Sequence, residues 1–276
     1  MHRTGYVFLD AGGPVLAFAH RGGARHPDLT GLENTTAAFA HAVSLGYRYL
    51  ETDVHLTADG VLVAFHDTVL DRVTDGEGRI EDLAWSDLAS IRIAGREPVP
   101  TLPGLVDCFP DARFNIDLKA AGAVAPLAAY VTEHGLTDRV LIGSFSRRRL
   151  RRFRTLVPRA ATSASPVEVA AYVLLPARLA RLLTRRVAAL QIPHRAGRLT
   201  IASPRLVRRA HAAGLPVHVW TIDDPDEMRL LLHRGVDGLM TDRTDILRDV
   251  LRERGLWTAP TQADESQADE TRADER

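Results

Sequence analysis

The sequence predicts an α/β protein of the TIM-type (β/α)8 barrel class, with a small insertion after the second strand. Three observations lead there. Short apolar runs alternate with longer helical stretches, the pattern of parallel β-α units. The strand-like runs number eight, the count at which such a sheet closes on itself. The chain of 276 residues, 45% hydrophobic and 25% charged, is long enough for one barrel domain with a large core.

Strands are expected at 15–19, 49–54, 113–118, 140–144, 160–163, 188–192, 217–222 and 238–241. Helices are expected over 35–44, 124–134, 147–156, 167–183, 203–213, 225–234 and 245–253. Asn34, Ser146, Ser165 and Asp224 stand where a side-chain oxygen can cap the first free N–H groups of a helix. Pro166 and Pro225 fit the first turn, where a missing N–H costs nothing. The second unit is irregular. Residues 56–112 replace the usual single helix and include an extra strand at 61–65 and the turn-rich D-G-E-G at 75–78. Residues 257–276 carry three copies of a five-residue polar unit, Q-A-D-E-S, Q-A-D-E-T and R-A-D-E-R. Such a repeat cannot bury a core, so a disordered tail is expected after a barrel domain at 1–256.

Composition excludes several classes. Formal net charge is zero, which gives no whole-molecule attraction to nucleic acid. Cys108 is the only cysteine, so no internal disulfide can form and a reducing compartment is compatible. Asp10, Gly12, Gly13 and Pro14 interrupt the N-terminal apolar residues before a secretory core develops. No run of eighteen apolar residues exists. A soluble, cytoplasmic protein is expected. Of the 35 basic residues only Lys119 is a lysine. In a chain that otherwise uses arginine, it marks a place where a compact ammonium fits and a planar fork does not.

The chemistry concentrates between Phe18 and Asp67. Glu51 and Asp53 lie two apart on an expected strand, so their carboxylates share one side. Two like charges side by side need a cation, and a hard divalent ion with oxygen ligands satisfies both. An isolated E-x-D is more often a solvated edge, but here the neighbours matter. His20 and His66 each close an apolar run where a loop begins, and they bracket the carboxylate pair as acid and base would. His55 shares the parity of Glu51 and Asp53, yet its place at the strand end turns it toward solvent.

These residues resemble the glycerophosphodiester phosphodiesterase family. The motifs are H-R-G-G at 20–23, E-N-T at 33–35, E-T-D-V at 51–54, T-A-D-G at 57–60, F-H-D at 65–67, D-R-V-T-D-G-E-G at 71–78, V-P-T-L at 99–102, I-D-L-K at 116–119 and W-T-I at 220–222. The resemblance covers about 15–247, and it is the ordered set that is specific. It implies that the insertion lies over the barrel mouth. It also implies metal-dependent hydrolysis of a glycerophosphodiester to glycerol 3-phosphate and an alcohol such as choline or ethanolamine. One divalent cation, Mg2+ or Ca2+, would be held by Glu51, Asp53 and Asp117. Arg21 and Lys119 would bind phosphate, and His20 and His66 would serve as general acid and base. Glu33 could touch substrate or simply help start the helix. Gln191 and Trp220 fit a pocket wall or ordinary packing.

Two departures stand out. The family usually has Glu where this chain has Asp117, which draws that ligand back by one methylene. It often has an asparagine soon after W-T, where this chain has Asp223 and Asp224. Two alternatives are carried: a lysophospholipase D, favoured if residues 61–112 expose an apolar groove, and a non-catalytic barrel that binds phosphodiesters. The arginine run at 147–154, with Arg178, Arg181, Arg185 and Arg186, reads as a solvated face or as a weak contact with an anionic membrane surface. The oligomeric state is not legible.

Overall fold

The structure is a computed structural model that describes residues 4–10 and 13–258. Its strands are β1 (Leu16–His20), β2 (Tyr49–Leu56), β3 (Leu62–Ala64), β4 (Arg92–Ile93), β5 (Glu97–Pro98), β6 (Arg113–Leu118), β7 (Val140–Gly143), β8 (Ala161–Thr162), β9 (Leu190–Pro193), β10 (Arg195–Ala196), β11 (Leu199–Thr200), β12 (Val217–Trp220) and β13 (Gly238–Thr241). Its helices are α1 (Val7–Asp10), α2 (Thr36–Ser44), α3 (Trp85–Leu88), α4 (Leu102–Cys108), α5 (Val124–Glu133), α6 (Arg147–Leu156), α7 (Pro166–Leu174), α8 (Ala177–Leu183), α9 (Pro204–His211), α10 (Pro225–His233) and α11 (Thr244–Glu253).

Eight strands form the expected parallel sheet in the order β8-β7-β6-β2-β1-β13-β12-β9. The ring closes between its ends. Ser163 and Ala189 form a parallel bridge, and Ala188 N donates to Thr162 O over 2.8 Å. Strands buried on both faces need apolar residues at both parities. The outward set, with Leu50, Ile116 and Ile142, packs against helix residues such as Phe39, Leu127 and Phe153. The inward set gathers Phe18, Tyr49, Leu141 and Met240 with Phe8 of α1. Tyr49 donates its hydroxyl to Phe8 O over 3.0 Å, so α1 seals the N-terminal end of the barrel. No sequence pattern announced so short a plug.

Ser146, Ser165 and Asp224 cap their helices as expected, and Pro166 and Pro225 sit in first turns. Asn34 does not cap α2; Thr35 does, accepting from Ala38 N. The single helix expected at 167–183 is two, because Pro176 lacks the N–H that would continue α7. The insertion is also narrower than expected. Val63, Phe65, Leu70, Ile80, Leu88, Ile93 and Val99 form its own small core, whereas α4 packs Leu102, Leu105 and Val106 into the barrel as the second unit's helix. Trp257 packs edge-on against Tyr47, with ring centroids 5.1 Å apart. The polar repeat expected to be a disordered tail lies outside the described residues.

One buried ion pair ties this architecture to the cavity wall. Arg154 of α6 reaches Glu168 of α7 through Nη1–Oε1 at 2.6 Å and Nη2–Oε2 at 3.2 Å, and also donates to Thr162 Oγ1 and Ser163 O. Burial alone would raise the Glu168 pKa, but the Arg154 guanidinium and the Ser165 N–H outweigh it and hold the carboxyl below its ordinary range. A lowered folded pKa gives stability that is present above the unfolded value and lost as pH falls through the folded one. Glu168→Gln is therefore expected to cost about 3 kcal/mol at neutral pH, since it leaves Arg154 buried and unpaired. Urea unfolding should show the gap between wild type and variant closing as pH falls below the ordinary glutamate range.

Candidate active site

The site lies at the carboxyl ends of the barrel strands, as parallel α/β barrels dictate. His20 closes β1, and Arg21, Gly22 and Gly23 turn the chain with φ of 48°, 87° and 85°. A Cβ on Gly22 would lie 2.6 Å from Ala38 Cβ, and one on Gly23 would lie 2.6 Å from Thr244 Cγ2. The paired glycines thus let α2 and α11 close onto the loop. That turn sets Arg21 N–H 3.1 Å from Glu51 Oε2 and Arg21 Nε 3.1 Å from Asp53 Oδ2.

Alternation along β2 places Glu51 and Asp53 on the inner face, and register supplies their neighbours. Glu51 pairs with His20 of β1, and Asp53 pairs with Asp117 of β6. Asp53 is the most heavily held group. Besides Arg21 it accepts from Asn34 Nδ2 at 3.0 Å and faces Lys119 Nζ at 2.9 Å. Lys119 also meets Asp117 Oδ2 at 2.7 Å, while the buried Oδ1 of Asp117 has no hydrogen-bond partner. Burial would raise the Asp53 pKa, but Lys119, Arg21 and their neighbours hold it low. At Glu51 burial and then the Asp53 charge outweigh the nearby His20, Arg21 and Lys119 and push the carboxyl up to about 7. The ammonium of Lys119, the chain's one lysine, thus lies between two carboxylates.

Each imidazole is oriented by a carboxylate. His20 Nδ1 donates to Asp242 Oδ1 at 2.7 Å, and His66 Nδ1 to Asp67 Oδ1 at 2.6 Å. Those contacts select the Nδ1–H tautomers and leave Nε2 as the basic nitrogen in both rings. His20 Nε2 lies 3.8 Å from Glu51 Oε2. Burial would lower the His20 pKa, yet Glu51 and then Asp242 raise it above the ordinary imidazole value. Asp67 is held in turn by Arg72, which also forks onto Glu33.

A cavity of about 560 Å³ opens over these groups and is lined by His20, Arg21, Glu51, Asp53, His66, Asp117, Lys119, Gln191 and Trp220. Glu33, which could have touched substrate or helped start the helix, does not line it. Its carboxylate pairs with Arg21 at 3.2 Å and with Arg72, so it holds arginines. Gln191 donates to Asn115 Oδ1 at 3.2 Å, and Trp220 stands edge-on to Phe145 at 5.8 Å. His55 is buried and not turned to solvent, because β2 continues to Leu56 and pairs with β3; its Nε2 lies 3.2 Å from His66 O. Asp242 and Asn34 were missed as site residues, since their partners are remote in sequence. Asp223 braces Asp242 by accepting from its N–H at 2.8 Å, and Asp224 caps α10.

Among the described residues no three His, Cys, Asp or Glu side chains converge closely enough to hold an ion. Of the three acids expected to ligate one, Asp53 and Asp117 are instead joined through Lys119, while Glu51 meets the Arg21 N–H and His20. The donor set still fits a hard cation. Asp117 Oδ1 is a buried acceptor with nothing to accept from, and Glu51 is a buried carboxylate whose pKa burial and the Asp53 charge raise. The other half of the cavity is apolar, with Phe145, Val169, Val173, Leu174 and Ile201.

With this geometry in view, the likeness to known proteins is informative. The sequence profile of the Glycerophosphoryl diester phosphodiesterase family matches residues 20–246. A Mycobacterium tuberculosis protein named "Probable glycerophosphodiester phosphodiesterase 2" is 41% identical over 261 residues, covering 90% of this chain and 98% of that one. The crystal structure of an Agrobacterium tumefaciens glycerophosphodiester phosphodiesterase superposes with a TM-score of 0.72 at 25% identity, over 85% of this chain and 99% of that one. An Oleispira antarctica phosphodiesterase, solved in complex with the product sn-glycerol-3-phosphate, gives 0.72 at 25% identity, over 86% of this chain and 96% of that one.

Proposed function

This chain belongs to the glycerophosphoryl diester phosphodiesterase family, and from that premise we propose that it hydrolyses glycerophosphodiesters to glycerol 3-phosphate and an alcohol. The observation that carries the reading is the convergence of two carboxylate-oriented imidazoles, Arg21, Lys119 and three acids on one cavity at the strand ends.

The residues divide the chemistry. Arg21 and Lys119 neutralise the phosphoryl oxygens, the first as a fork and the second as a point charge. One imidazole takes the proton of the glycerol 2-hydroxyl as its oxygen bonds to phosphorus. The other imidazole gives its proton to the alcohol oxygen as the phosphorus–oxygen bond to that alcohol breaks. Water then opens the cyclic phosphate with the two roles exchanged, so both rings return to their starting state. Glu51, Asp53 and Asp117 would hold one divalent cation, Mg2+ or Ca2+, which when bound supplies electrostatic stabilisation of the phosphoryl charge.

A second reading, a lysophospholipase D, is favoured by the apolar half of the cavity. The condition set on residues 61–112 is not what supplies it: they bury apolar side chains either in their own small core or, through Leu102, Leu105 and Val106, in the barrel, and the apolar wall comes from α7, the loop after β7 and Ile201. Incubation with glycerophosphocholine and, separately, lysophosphatidylcholine distinguishes the two. Glycerol 3-phosphate and choline from the first substrate support the main reading. Cleavage of the lysolipid alone supports the second, and no product from either defeats both.

A further inference from the structure

Between Glu168 and Asp223 the chain carries nine arginines and no acidic residue, although the whole chain balances to zero. The same region exposes apolar side chains. Of the thirteen large hydrophobic residues exposed among the described residues, six fall in it, between Val173 and Leu199. Exposed leucines scattered singly need no explanation, but clustered ones do. Leu179, Leu182 and Leu183 are spaced three and four apart on α8, so they share a face. Leu174 is 78% exposed and Leu199 70%.

We propose that the leucine and arginine rim built by α7, α8 and the β10–β11 hairpin docks on an anionic lipid surface, with the cavity mouth turned toward it. Continuity with the cavity supports the orientation. Val173, Leu174 and Ala196 line the cavity, and Leu199 pairs with Ala196 across the hairpin. Charge selects the occupant. Arg178, Arg181, Arg185, Arg195 and Arg198 are exposed beside these leucines, the composition of a segment that lies in a lipid interface. A second copy of the chain would set two arginine faces against each other. Attachment is peripheral, since no helix among the described residues is long and apolar enough to cross a membrane.

The test is flotation of the full chain with phosphatidylcholine vesicles, with and without phosphatidylglycerol, read as bound fraction and independent of turnover. Binding is expected only with phosphatidylglycerol and should weaken as salt rises. Each of Arg178→Gln, Arg181→Gln and Arg198→Gln should weaken it by about fivefold. Leu182→Ser with Leu199→Ser should weaken it by about tenfold. None of these residues lines the cavity, so hydrolysis of glycerophosphocholine in free solution should be unchanged, which also reports intact folding. Equal binding to neutral vesicles, no binding, or variants that bind like wild type would overturn the proposal. So would a wild-type dimer in sedimentation velocity that Leu182→Ser with Leu199→Ser splits, because the rim would then be a face between copies.

Discussion

Replacing His20 or His66 by alanine is expected to lower turnover of glycerophosphocholine by about two to four orders of magnitude while leaving the circular dichroism spectrum unchanged. Each ring presents Nε2 at the cavity, and neither is part of the barrel's apolar layers. Asp242→Asn should cost less, about ten- to a hundredfold, because the imidazole remains while the carboxylate that orients it is lost. A further readout separates positioning from mere support. Asp242 raises the His20 pKa, so its loss should move the limb of the pH–rate profile governed by His20 to lower pH. A histidine variant with wild-type turnover would remove that ring from the mechanism.

Lys119→Met carries the second large effect. The ammonium sits between Asp53 Oδ1 at 2.9 Å and Asp117 Oδ2 at 2.7 Å, and both acids face it from within the barrel mouth. Removing it takes the shared cation from two close carboxylates, of which Asp53 keeps Arg21, and this should cost about 3 kcal/mol of stability in the absence of added divalent cation. Turnover should fall by about two orders of magnitude or more, through lost stabilisation of phosphoryl charge. Lys119→Arg should restore little, because a planar guanidinium cannot occupy the point between two carboxylates that a compact ammonium fills. Full recovery in that variant, measured by kcat and by urea unfolding, would show that charge alone is required.

What could be read in advance followed periodicity. The eight strands came from apolar runs, and the shared face of Glu51 and Asp53 from alternation along one strand; both are local properties that β2 retains. The partnerships that complete the site are not local. Asp242 meets His20 from 222 positions away, and Asn34 reaches Asp53 only because a positive φ of 60° turns it from the helix start into the site. For Glu33 the sequence left substrate contact and the helix start equally open; in the fold its carboxylate pairs with Arg21 and Arg72. At Pro176 two local signals conflict: the apolar pattern runs through it, but the missing N–H ends α7 before α8 begins. His55 was misplaced for a different reason. β2 continues past its expected end to pair with β3, which buries a residue that parity alone had placed correctly.

In the proposed mechanism Glu51, Asp53 and Asp117 would act together on a divalent cation beside the two histidines. The direct measurement is turnover of glycerophosphocholine by enzyme stripped with EDTA, then titrated with Mg2+ or Ca2+, for wild type and for Glu51→Gln, Asp53→Asn and Asp117→Asn. The expected result is no turnover after stripping, full recovery on titration of the wild type, and recovery in the variants only at far higher cation concentration or not at all. Undiminished turnover in EDTA, or variants that recover on the wild-type curve, would contradict it.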